Sequence, residues 1–169
     1  VISPGGIGYD ISCGLRLLRT DLTRQDIEEH LDLLMDALYH AVPSGVGTEG
    51  TIHLKPTEMS QVFVKGSRWA VERGYGERED LESCEDGGCL PGADPDRVSP
   101  RAVERGRNQL GTLGSGNHFL EVQELDVIYD PRAAGTFGLF QGQIVVMIHT
   151  GSRGCGYQIC DDSLGRMQD

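Results

Sequence analysis

The strongest constraint on how this chain folds is that its short apolar segments run straight into or out of glycine-rich loops. Gln-Ile-Val-Val-Met-Ile-His, residues 143–149, reads as a buried strand. It leads directly into Thr150-Gly-Ser-Arg-Gly-Cys-Gly156. Two other segments share this layout. Pro4-Gly5-Gly6-Ile7-Gly8-Tyr9-Asp10-Ile11-Ser12-Cys13-Gly14 precedes a loosely alternating strand at residues 15–20. Leu110-Gly-Thr-Leu-Gly-Ser-Gly-Asn-His118 leads into a strand at residues 119–125. Glycine makes up 24 of 169 residues, about twice its usual ~7% share. It falls in short clusters beside polar residues and follows no internal repeat. Such clusters suit close approach of backbone to a ligand more than they suit a flexible linker.

Helical patterns lie between these segments. In residues 24–42, Ile27, Leu31, Leu34, Leu38 and Ala41 recur at helical spacing. Thr23 offers an N-cap oxygen and Pro43 stops the helix. A second helix is expected over residues 58–73, with Thr57 as cap and Gly74 as stop. A third starts at Ser99-Pro100, with proline at the first helical position, and runs to about Arg107. A last helix follows Gly156. Residues 75–98 read as an acidic surface loop. Strands interleaved with helices give an α/β, mixed α+β, fold class. The length predicts one partial domain over residues 1–169, able to hide roughly 70% of its unfolded surface. Val1 in place of Met, and a helical texture up to Asp169, predict a piece of a longer chain, incomplete at both ends.

The formal net charge of −11 argues against a broad nucleic-acid-binding face. The charge is uneven, however. Residues 77–96 hold eight acids against one base, a net −7, so the rest of the chain carries only −4. Arg97, Arg101, Arg105 and Arg107 follow and can form a local basic face. There is no charged-then-apolar leader and no apolar run near the ~18 residues a membrane-spanning helix needs. The expectation is a cytoplasmic protein with no membrane partner, whose five cysteines stay reduced. No sequence feature sets an oligomeric state.

Asp10, Cys13, His118 and His149 are the candidate metal ligands, each beside glycine-rich backbone at a strand edge. One carboxylate, one thiolate and two imidazoles suit a borderline divalent ion such as Zn, Mn, Co or Fe. Asp10-x-x-Cys13 can aim two ligands at one site from a single turn. A thiolate between two ions can bridge them, and the nearby cations would lower its pKa. Taken singly these positions are weak: a lone His at a strand end is usually a core or surface group, and a lone Cys is usually a small buried hydrophobe. Asn117, with backbone N–H groups of residues 114–116, can hold phosphate oxygens. Glu121 shares a strand face with Phe119 and can accept from a guanine edge. No Walker or dinucleotide fingerprint is present.

The three glycine-rich blocks, read through Glu121 in the second and from His149 to Gly154 in the third, closely resemble the RtcB family of RNA-splicing ligases in composition, order and separation. The resemblance spans nearly the whole chain and is loosest across residues 75–98. It implies an RtcB-like fold and an enzyme that joins an RNA 3′-phosphate or 2′,3′-cyclic phosphate to a 5′-hydroxyl, using GTP and two Mn ions. A histidine becomes guanylated, GMP passes to the RNA 3′-phosphate, and the 5′-hydroxyl displaces it. On this resemblance Asp10, Cys13, His118 and His149 are metal ligands, with Cys13 bridging and catalytic. Asn117, Phe119 and Glu121 bind GTP, and Arg105 or Arg107 touches RNA phosphate. The RNA partner would be tRNA halves or broken RNA.

Two departures bear on activity. The family's guanylated histidine and a further metal-binding histidine belong to a C-terminal part, and no histidine follows His149 here. This chain alone is therefore expected to bind metal through an incomplete ligand set and not to ligate RNA. Tyr157 stands where the resemblance leads one to expect His, and Cys155 where Leu is more usual. The competing readings are a metal-dependent hydrolase using the same ligands on a bound water, and a non-enzymatic zinc module built on Cys84-x4-Cys89 and Cys155-x4-Cys160.

Overall fold

The structure, a computed structural model, describes Ser3, Gly5, Gly6 and residues 8–168, apart from the side chains of Pro56 and Gln168. The strand end expected at Val1-Ile2 lies outside the described residues. Along the chain come β1 (Gly14–Thr23), α1 (Arg24–Ile27), a 3-10 turn (Glu28–His30), α2 (Leu31–Ala41), α3 (Pro56–Lys65) and α4 (Ser67–Glu72). Three more 3-10 turns follow, at Arg78–Ser83, Glu85–Gly88 and Pro95–Arg97. Then come α5 (Pro100–Gly106), β2 (Phe119–Glu124), α6 (Pro131–Phe137), β3 (Gln143–Thr150) and α7 (Arg153–Gln168). This is a mixed α/β chain. No described helix is long and apolar enough to cross a membrane. Two compact units form: Val1–Ile11, Gly50–Leu110 and Ser152–Asp169 make the first, and Ser12–Glu49 and Gly111–Gly151 the second.

The second unit is built on the Val/Ile run. That run becomes β3, the central strand of a three-stranded antiparallel sheet in the order β1-β3-β2. Paired on both edges, its first residues Gln143, Ile144 and Val145 are buried, which explains why so short a stretch is so apolar. Leu15, Met147 and Glu121 fall on the same sheet face as His149, because Leu15 and Phe119 both sit opposite His149, and Glu121 sits opposite Met147. On the other face, Leu120 and Val122 meet Met35, Leu38, Tyr39 and Val42 across a cavity of about 160 Å3. The register of β1 slips between Arg19 and Thr23. Thr20 Oγ1 donates to the Ile144 carbonyl (2.6 Å), and Gln143 Nε2 donates to the Thr20 carbonyl (2.7 Å). Buried polar groups at the irregularity are thereby satisfied.

The first unit packs Leu54, Met59, Trp69, Ala102 and Cys155 into a core flanked by Val62, Phe63, Val103 and Ile159. Helices α5 and α7 meet closely because Gly106 has no side chain: a Cβ there would lie 2.7 Å from Cys155 Cβ and 2.8 Å from Met59 Cε. A polar seam fixes their register. Ser99 Oγ accepts from the Ala102 N–H (3.2 Å) and donates to Asp162 (2.5 Å). Gln158, almost wholly buried, donates to Asp162 (2.7 Å) and accepts from Arg105 (2.9 Å).

Several sequence expectations shift. The helix over residues 24–42 is interrupted by the Glu28–His30 turn. Thr23 uses its hydroxyl and its N–H to donate to Asp26 (2.7 Å each), so here the carboxylate is the capping acceptor. The helix over 58–73 starts at Pro56 behind Lys55, whose N–H donates to Glu58 (3.0 Å), and breaks at Gly66. The acidic stretch 75–98 is folded into the three 3-10 turns rather than left as plain loop. The last helix begins at Arg153, so Cys155 lies in its first turn, not in a loop. Helix α6 was not foreseen. Asp130 caps it and left-handed Gly138 ends it, but seven residues containing Gly135 carry no apolar stripe for periodicity to detect.

Two stability predictions follow from these contacts. Gly66 adopts φ 55 and ψ −136, a region open only to glycine, and a Cβ there would strike the Gly88 carbonyl oxygen. Gly74, also left-handed at φ 80, faces open space. Gly66→Ala should therefore cost about 2–4 kcal/mol and Gly74→Ala only about 1 kcal/mol in urea unfolding; equal costs would contradict the packing described. Ser99 and Gln158 hold the Asp162 carboxyl below its ordinary value of 3.8. A depressed folded pKa stabilises above the unfolded value and is lost as pH falls through the folded one. Ser99→Ala should cost about 1 kcal/mol at neutral pH through the cap alone, and the gap from wild type should narrow as pH drops below 3.8. A gap that widens in acid would contradict this.

Candidate metal and nucleotide site

The antiparallel topology dictates where the candidate ligands go. Cys13 immediately precedes β1, His118 immediately precedes β2, and His149 is next to last in β3. Because β1 and β2 both run antiparallel to β3, their first residues flank its last ones. Cys13 thus meets two histidines, 105 and 136 positions further along the chain, at one end of one sheet. Cys13 Sγ lies 2.9 Å from His149 Nε2 and 3.4 Å from His118 Nε2. The imidazole centroids are 5.6 Å apart, and Phe119 meets His149 edge-on at 5.4 Å.

Backbone features hold this end of the sheet in place. Ser12, just before Cys13, is left-handed at φ 63 without being glycine, a conformation that costs roughly 1 kcal/mol and recurs at functional sites. The glycine-rich loop before His118 is tied down by Thr150 Oγ1 donating to the Leu113 carbonyl (2.6 Å). It is also tied by Leu113 N–H donating to Pro43 (2.9 Å) and Gly45 N–H donating to Gly114 (2.8 Å).

The donor set fits a divalent cation. A thiolate sulfur and an imidazole nitrogen bound to one tetrahedral ion, at about 2.3 and 2.0 Å, sit about 3.5 Å from each other. The Cys13–His118 separation of 3.4 Å matches that spacing, and the Cys13–His149 contact of 2.9 Å is shorter. Cys13 is exposed, and His118 and His149 are half-buried, so an ion can enter from solvent.

The other candidate positions have distinct surroundings. Asp10 belongs to the first unit, where Ser152 Oγ donates to its Oδ1 (2.8 Å). Asn117 is exposed in the turn before β2. Phe119 and Glu121 share the face of His149, and Gln123 Nε2 donates to Glu121 Oε2 at 2.6 Å. Sequence reasoning missed Ser152 and Gln123. The period-two spacing of Glu121 and Gln123 was the available signal for the second; only coordinates could pair Ser152 with Asp10. Arg105 donates to Gln158 and lies over the Tyr157 ring, and Arg107 pairs with Glu104 at 3.2 Å.

The four-thiolate alternative finds no support. Among the described residues, none of Cys84, Cys89, Cys155 and Cys160 belongs to a cluster of three ligand atoms. Cys89 Sγ donates to the Val64 carbonyl (3.2 Å), and burial pushes the Cys155 thiol up to about 11.

A cysteine and two imidazoles gathered beside a glycine-rich loop at one end of a sheet, on a mixed α/β scaffold, define a class of chain with a candidate divalent-metal site. A family model described as tRNA-splicing ligase RtcB matches residues 1–169. The chain is 54% identical over 164 residues to "tRNA-splicing ligase RtcB" of Archaeoglobus fulgidus, covering 97% of this chain and 34% of that protein. It is 55% identical over 165 residues to the protein of the same name from Pyrobaculum aerophilum, covering 97% and 34%. It is 52% identical over 170 residues to "RNA-splicing ligase RtcB" of Mycobacterium tuberculosis, covering 99% and 39%. The chain therefore belongs to the tRNA-splicing ligase RtcB family, and it spans roughly a third of the length of these relatives.

The burial pattern predicts an order of thiol reactivity. In metal-free protein at mildly alkaline pH, iodoacetamide should modify Cys13 first, and Cys155 should stay unmodified until the protein unfolds. Mass spectrometry of the digested protein reads both sites. Early modification of Cys155 would contradict its place in the core.

Proposed function

We propose that the protein containing this chain is an RNA ligase that joins RNA 3′-phosphate or 2′,3′-cyclic phosphate ends to 5′-hydroxyl ends, with GTP and Mn. The observation that carries the reading is the convergence of His118 and His149 on Cys13 in a chain of this family. Cys13, His118, His149 and Asp10 are the residues that would hold the two divalent ions. The support for Asp10 is its place three residues before Cys13 in the Asp-x-x-Cys turn. Bound there, the ions supply neutralisation of charge on phosphate oxygens and on the departing pyrophosphate.

This chain's own residues bind and orient. Asn117 and the N–H groups of residues 114–116 would receive the GTP phosphates, as a run of backbone donors does. Phe119 offers an apolar face to the base. Glu121, held in one orientation by Gln123, would accept from the guanine edge. The guanylated histidine would lie in sequence beyond this chain: its nitrogen attacks the α-phosphorus and pyrophosphate leaves. GMP then passes to the RNA 3′-phosphate, and the 5′-hydroxyl displaces it. Activation is needed because phosphate or hydroxide leaves poorly compared with GMP. Residues 1–169 would then be the N-terminal and central part of a larger catalytic domain and would not ligate alone. A cytoplasmic setting fits a cysteine ligand that must stay reduced, as does the lack of a disulfide among the five cysteines.

The test uses the complete protein with labelled GTP and Mn. A covalent protein–GMP adduct is expected. Losing several kcal/mol of charge stabilisation should cut its rate on the order of 100-fold or more in Cys13→Ser or His149→Ala, and chelation should abolish it. No adduct in the complete wild-type protein would overturn the ligase reading.

A further inference from the structure

We propose that Tyr9 and Tyr157, with Arg105, form a stacking platform for an unpaired base of the RNA substrate; the inference rests on the ligase reading. All three residues belong to the first unit. Tyr9 and Tyr157 come from opposite ends of the chain, yet their rings stack with centroids 5.0 Å apart and planes at 29°. The pair is not core packing. Tyr9 is 43% exposed and Tyr157 is 44% exposed, so both residues are open to solvent. The Arg105 guanidinium lies over the Tyr157 ring, 5.2 Å from its centroid.

Hydrogen bonds fix the cationic member of the arrangement. Arg105 donates to Gln158 (2.9 Å), and Gln158 in turn donates to Asp162 (2.7 Å). That chain of bonds runs along the packed α5–α7 seam, where Ala102 and Gln158 are almost completely buried. Arg105 is therefore held over the Tyr157 ring before any ligand arrives, which reduces the ordering cost of binding.

Exposed tyrosines beside a guanidinium plane are the chemistry that receives splayed-out bases of single-stranded RNA. Every base has a π-face, so the contact tolerates any sequence, as an enzyme joining broken ends of differing sequence requires. Charge adds to the fit. The chain is strongly acidic overall, yet Arg101 and Arg105 lie on the helix that supplies this platform. That helix also carries Glu104, so its two arginines leave it with a net positive charge for a phosphate backbone to meet.

The experiment measures the affinity of the complete protein for a single-stranded RNA bearing a 3′-phosphate, by fluorescence anisotropy over a range of salt. Tyr9→Ala and Tyr157→Ala should each weaken binding about tenfold, with an unchanged salt slope because no phosphate contact is removed. Tyr157→Phe and Tyr157→Trp should bind within about twofold of wild type, since a stacking face remains. Thermal melting of each variant separates lost stacking from lost folding. Unchanged affinity in both alanine variants overturns the platform, as does a lowered melting temperature with unchanged affinity, which would assign the pair to packing. Loss of binding in Tyr157→Phe equal to that in Tyr157→Ala also overturns it. Adduct formation with labelled GTP in the wild type judges the ligase reading separately: an adduct with unaffected RNA binding in the variants sinks the platform alone. A wild-type protein that binds no RNA sinks both.

Discussion

The double pairing of β3 is the constraint on which the metal-site geometry depends. A central strand with antiparallel partners on both sides places the beginning of each neighbour beside its own end. Cys13 and His118 need only stand one residue ahead of those neighbours to reach His149. No long side-chain reach or unusual loop is required, because the ladder hydrogen bonds fix strand separation at about 4.8 Å. The one local cost is the left-handed backbone at Ser12. Ser12 immediately precedes Cys13, where β1 is about to begin.

The same sheet divides its labour by face. On one face Leu120 and Val122 pack toward α2 and supply burial. On the other lie Phe119 and His149, half-buried, and Glu121, exposed. A one-residue slip of β2 would exchange Phe119 and Glu121 with Leu120 and Val122. The pinning of the preceding loop through Thr150, Pro43 and Gly45 is thus as important to the site as the ligands are. In the first unit, Gly106 and the Ser99–Asp162–Gln158 seam fix α5 against α7 in a comparable way, and so set the position of Arg105.

Much of this was legible in the sequence, and the reasons are specific. The Val/Ile run announced β3, and three glycine-rich blocks at strand edges marked where ligands gather. The convergence of Cys13, His118 and His149 was legible as a set of residue types. It was not legible as geometry, because strand order is a long-range property that periodicity does not carry. Helix α6 escaped because its capping signals, Asp130 and Gly138, enclose no apolar stripe. The break at Gly66 escaped because glycine within a helical pattern is often tolerated; only its contact with Gly88 shows why the chain must turn there. Cys155 looked like a loop thiol. Its burial follows from the tight fit of Gly106 against α7, which no local pattern reveals.

The central claim is that Cys13, His118 and His149 are ligands of divalent metal, and cobalt(II) tests it most directly. Added to the metal-free complete protein, cobalt should give the near-ultraviolet thiolate-to-metal charge-transfer band of a cysteine ligand and the visible bands of a low-symmetry, nitrogen- and sulfur-ligated ion. The charge-transfer band should vanish in Cys13→Ser, and the visible bands should weaken and shift in His118→Ala and His149→Ala. A wild-type spectrum without a thiolate band, or one unchanged by Cys13→Ser, would contradict the account.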